Sequence, residues 1–131
     1  MGNQKCGKQS FSLDPAPVIA GWASVVGKKE AEGPLCKYFD VVSSDTTFGE
    51  KTWEQAEKKM QQLALDKLAE KTGQKKEDFS LVFSGDLLNQ CIGSSFTLRN
   101  CSIPHLGLYG ACSTMAESLL MAAMAVGGGF F

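Results

Sequence analysis

The sequence predicts an α/β fold with a mostly parallel sheet and a buried central helix. Three observations carry this expectation. Apolar stretches of strand length alternate with stretches of helical periodicity in the order strand, helix, strand, helix, strand, helix. The connections in the second half are short. The last long segment, Ser113 to about Val126, is apolar nearly all round (Met115, Ala116, Leu119, Leu120, Met121, Ala122, Ala123, Met124, Ala125, Val126), and such a helix belongs in an interior.

Composition sets the frame. The chain has 131 residues, 44% of them hydrophobic, which is length for roughly one domain. With 13 basic and 14 acidic side chains the net charge is −1, so no electrostatic case exists for nucleic acid. Five cysteines without CxxC spacing argue against a zinc site or a disulfide framework and for a reducing, intracellular compartment. The single histidine, His105, cannot build a His-based metal site, so no metal is expected. Met1 to Ser10 is polar and lacks the apolar region of a signal peptide. Met1-Gly2 ahead of Cys6 fits N-terminal myristoylation poorly, since that pattern wants Ser or Thr where Cys6 stands. Leu119 to Val126 is far shorter than the roughly 20 residues of a membrane span.

The elements read as follows. Residues 1–10 form a loose leader, and Gln9 to Leu13 a short strand ended by Asp14-Pro15-Ala16-Pro17. Val18 to Val26, with Val18, Ile19, Trp22, Val25 and Val26, reads as the first long strand. Gly27 to Asp45 is a polar excursion with a turn at Gly33-Pro34, anchored by Leu35, Cys36, Tyr38 and Phe39; Lys28-Lys29-Glu30 is a solvated face. From Trp53 to about Thr72 the stripe of Trp53, Ala56, Met60, Leu63, Ala64 and Leu68 predicts an amphipathic helix. Thr52 and Gln55 supply its capping box and Gly73 its stop. Phe79 to Ser84 is a strand, Gly85-Asp86 a turn, and Leu88 to about Asn100 a second helix. His105 to Tyr109 is the last strand. Gly127 to Gly129 caps the final helix, and Phe130-Phe131 reads as the start of another strand at which the sequence is cut.

Ligands of parallel α/β sheets bind at the carboxyl ends of strands. Two such ends are Gly85-Asp86 and Gly110-Ala111-Cys112, and they border one expected pocket. Cys112 follows a tight turn at the mouth of the last helix, where partial positive charge favours a thiolate, the attacking form of cysteine. It is the candidate nucleophile, or else a cysteine that simply packs. The candidate ligand-binding set is Cys112, Ser113, Asp86 and Asn89. Asp86 either accepts from a ligand or caps the next helix, and Ser113 and Thr114 either touch a ligand or serve the first helical turn. Asn89, with Gln90, lines the same pocket. His105 lies at the far end of its strand and reads as a structural histidine; Cys91 and Cys101 read as packing residues. An acyl-transfer site also needs a base and oxyanion donors, and only the Cys112 N–H is a candidate donor here.

At Gly110-Ala111-Cys112-Ser113-Thr114 the sequence resembles the active-cysteine turn of the thiolase and ketoacyl synthase superfamily. Gly85-Asp86-Leu87-Leu88-Asn89-Gln90, Ile103-Pro104 and Leu108 to Glu117 resemble, within it, the stage V sporulation protein AD family of spore-forming Firmicutes. Lys28 to Leu35, Tyr38-Phe39-Asp40 and Thr52 to Glu57 fit the same family. The resemblance implies the first half of a thiolase-like fold, layered α/β/α, over residues 1–131. It further implies binding of dipicolinic acid (pyridine-2,6-dicarboxylate) for movement into or out of the spore core, with calcium accompanying the ligand. Membrane-embedded proteins of the same sporulation operon, a peripheral place at the spore inner membrane and a homodimer are implied likewise. The alternative is an acyltransferase taking a coenzyme A thioester, with Cys112 as nucleophile.

Overall fold

The computed structural model describes residues 2–131. Its centre is the long helix α2, Trp53–Thr72, which spans 20 residues and so about 30 Å. The sequence bounds it at both ends. Thr52 is extended, and its side-chain oxygen accepts from the Gln55 N–H at 3.3 Å. Gly73 ends the helix at φ 68, the left-handed conformation that glycine adopts without penalty. The helix packs against the short strand Val25–Val26 and against the helix Ile92–Leu98, and Ala56 is its buried residue.

Strands β1 (Gln4–Cys6) and β2 (Ser10–Ser12) form an antiparallel hairpin, with Gln4 opposite Ser12. The stretch expected to be a loose leader is therefore paired, although Met1 of that stretch lies outside the described residues. Asn3 fastens the hairpin: its amide donates to the Gly127 carbonyl at 2.8 Å and accepts from the Asp14 N–H at 2.9 Å.

The long strand expected over Val18 to Val26 shrinks to β3, Val25–Val26. A strand needs a ladder partner, and residues 18–24 find one only at their end; Val18, Ile19 and Trp22 are exposed. The partner is β4, Val41–Val42, in parallel register Val25 to Val41. The supposed surface excursion thus carries helix α1 (Lys28–Ala31), a 3-10 turn at Cys36–Tyr38 and a strand. Lys28, Lys29 and Glu30 are solvated, as expected. Leu35 and Tyr38, expected as anchors, are exposed, because no element covers that turn among the described residues.

Strands β5 (Val82–Ser84) and β6 (His105–Gly107) pair in parallel, Val82 to His105 and Ser84 to Gly107. Helix α3, Ile92–Leu98, crosses between them and is shorter than expected, because Gln90 and Cys91 take positive φ values before it starts. A 3-10 turn at Ala111–Ser113 leads into α4, Thr114–Gly127, which packs on β5. The fold is α/β with parallel pairing, in separate two-stranded ladders. The expectation of a buried central helix is corrected: Met115 is 73% exposed, and Leu119, Leu120, Met124 and Val126 are exposed too. Among the described residues only one side of α4 is covered, by β5. No helix among the described residues is long and apolar enough to cross a membrane.

Candidate functional site

A cleft of about 810 Å³ opens between α2, the β5 end and the start of α4, and Cys112 lines it. The two strand ends that the sequence singled out do meet here, for Gly85 and Ala111 border the same space. Gly85 is required at that meeting, since a β-carbon on it would run into the Leu108 carbonyl. The lining is dominated by apolar side chains, among them Leu65, Leu68, Phe83, Leu98 and Leu119, and holds no Lys, Arg or His.

Cys112 is exposed and sits inside the 3-10 turn rather than on the first turn of α4. Ala111 before it has φ 49, a left-handed conformation that costs a non-glycine residue about 1–2 kcal/mol. The turn is held by its own polar groups. The Gly110 N–H donates to Thr114 Oγ1 at 3.1 Å, and the Ser113 N–H donates to the Gly110 carbonyl at 3.0 Å. Thr114 in turn donates its N–H to the Ala111 carbonyl. The N–H groups of Gly110, Ser113 and Thr114 around Cys112 are therefore already committed.

Ser113 does not line the cleft. Its hydroxyl lies 2.7 Å from the Gly110 carbonyl and 2.9 Å from Glu117 Oε1, bracing the turn on its outer side. Asp86, one of the two open readings, caps the next helix. It is 2% exposed, and its carboxylate accepts from the Gly93 N–H, the Ser94 N–H and the Ser94 hydroxyl, with Gln61 Nε2 at 3.5 Å. Asn89 is exposed and donates to Glu54 Oε1 at 3.3 Å, while its carbonyl receives the Ile92 N–H. It ties the α3 loop to the start of α2 instead of lining the cleft.

His105 Nε2 lies 2.9 Å from Ser84 Oγ across the β5–β6 ladder, the structural role read from its position. Cys91 donates its thiol to the Leu108 carbonyl at 3.3 Å and fills the space over Gly107. Gln61 is the lining residue that the sequence reading passed over. Its signal was weak: it falls on α2 beside the apolar stripe, where a polar residue reads as surface. Among the described residues no group of three or more His, Cys, Asp or Glu could hold a metal ion.

Comparison with known proteins adds two findings. The family model described as stage V sporulation protein AD matches residues 7–131. A protein of Bacillus subtilis (strain 168) named stage V sporulation protein AD is 34% identical over 124 residues, 95% of this chain. The matched region spans 37% of that relative's length.

Proposed function

This chain belongs to the stage V sporulation protein AD family, and from that premise we propose that it serves sporulation by binding dipicolinic acid for passage into or out of the spore core. The observation that carries the reading is the cleft itself, with the family's Gly-Ala-Cys turn on its rim. Its volume falls in the range of small-molecule sites. A planar dicarboxylate enters it edge-on, between the α2 side and the Cys112 turn, within a thiolase-like half-fold. Because no cationic side chain lines the cleft, the ligand's charge must be met in another way; an uncompensated anion in apolar surroundings is costly. Calcium entering with the ligand supplies that charge. Membrane-embedded proteins of the same operon, a peripheral place at the spore inner membrane and a homodimer complete the reading.

Calorimetric titration of dipicolinic acid into the full chain, with and without calcium, tests it. Saturable binding, strengthened by calcium and weakened in Cys112→Ala, is the expected result. A folded protein that takes up no dipicolinic acid under either condition sinks the proposal. The acyltransferase reading would need a base at Cys112, and His105 is engaged with Ser84. A thioester on Cys112 after incubation with an acyl-coenzyme A, seen by mass spectrometry, would favour that reading instead.

A further inference from the structure

The polar groups of the Cys112 cleft are not equally available. Of its hydroxyls, Ser84 Oγ is paired with His105, and Thr97 Oγ1 donates to the Lys58 carbonyl at 3.2 Å. Thr114 Oγ1 receives the Gly110 N–H, and Ser118 Oγ donates to the Thr114 carbonyl at 2.8 Å. Each is tied to the fold. Gln61 differs: among the described residues it has a single tether, from Nε2 to Asp86 Oδ1 at 3.5 Å, near the outer limit of a hydrogen bond. An amide carries two N–H donors and a carbonyl with two lone pairs, so most of its capacity is unspent.

The tether also sets which way the amide points. A carboxylate accepts and does not donate, so the NH₂ end faces Asp86 and the carbonyl turns away. Asp86 is itself fixed by three donors from α3 and cannot follow a ligand. The arrangement is a relay from a helix start, through a buried carboxylate, to one adaptable donor on the cleft wall.

We propose that Gln61 is the side chain through which the Cys112 cleft recognises its ligand, donating its second N–H to a carboxylate oxygen. Asp86 then acts on the ligand through Gln61, as a positioning residue. This rests on the dicarboxylate reading above and adds to it the group that tells a second carboxylate from none.

The test is titration of the full chain with dipicolinic acid and with pyridine-2-carboxylate, which lacks the second carboxylate, alongside thermal unfolding. In Gln61→Leu, affinity for dipicolinic acid falls about ten-fold, the loss of one hydrogen bond to a charged group. Affinity for the monocarboxylate stays within about two-fold, so selectivity collapses while the melting temperature holds. Gln61→Glu, which sets a carboxylate against the anion, loses more. Equal weakening of both ligands would make Gln61 structural and overturn the proposal, as would unchanged binding of both. If the unmutated chain binds neither ligand, the failure lies with the dicarboxylate reading itself and removes the premise.

Discussion

Ala111 shows how the residue scale governs the site. Its φ of 49 is imposed by the turn that presents Cys112, and alanine tolerates it poorly. Ala111→Gly is expected to raise unfolding stability by about 0.5–1 kcal/mol, after allowing for the greater freedom of glycine in the unfolded chain; denaturant titration measures it. Asp86→Ala is expected to cost about 3 kcal/mol or more, because two buried N–H groups and a hydroxyl lose their acceptor together. A denaturation midpoint unchanged by that substitution would remove Asp86 from the framework. Its importance was legible in the sequence, but its role was not. An acid after a strand reads alike whether it turns to the next helix or to a pocket. The choice depends on the path through Gln90 and Cys91, whose left-handed backbone carries no glycine to announce it.

At the scale of elements, the helix whose caps are written locally was legible to the residue, since Thr52 and Gly73 sit where α2 starts and stops. The strands were not, because a strand is defined by a distant partner. Val41-Val42 is too short to signal itself, and Val18 to Ser24 had the composition of a strand without the neighbour. What joins β3 to β4 and α2 is a polar clamp. Asp40 accepts from the Ser24 N–H at 2.9 Å and from Lys71 Nζ at 2.8 Å, and Lys71 lies over the Trp22 ring at 5.2 Å. The Lys71 hydrogen bond, joined by the Ser24 N–H, holds the Asp40 carboxyl below its ordinary value of 3.8. A depressed folded-state value means that the clamp stabilises fully above the unfolded value and is lost as pH falls through the folded one. Thermal unfolding is therefore expected to lose stability on acidification below about pH 4, and Lys71→Met to flatten that dependence. An identical acid profile in the variant would assign the loss to other groups.

For the whole molecule, the exposed row on α4 outweighs any single contact. Met115, Leu119, Leu120, Met124 and Val126 face outward, and Trp22, Val18 and Ile19 do the same along the unpaired stretch. Exposed apolar surface on that scale associates. This chain taken alone is expected to self-associate with rising concentration in sedimentation velocity, and Leu119→Lys with Met115→Lys to reduce it. A single concentration-independent monomer peak for the unmutated chain would contradict that. The apolar helix is legible in the sequence and burial follows from it as an expectation; covering the helix takes more than β5 provides. The two parallel pairs have a consequence of a different kind. Each closes over its own neighbouring stretch of chain, β3 with β4 around α1, and β5 with β6 around α3. In order of synthesis the first unit has all its residues once Val42 is made, before any residue of α2. The second is complete at Gly107, so the donors that hold Asp86, on Gly93 and Ser94, are all made before Cys112. The order of synthesis thus delivers the two paired units first and the Cys112 edge of the cleft last.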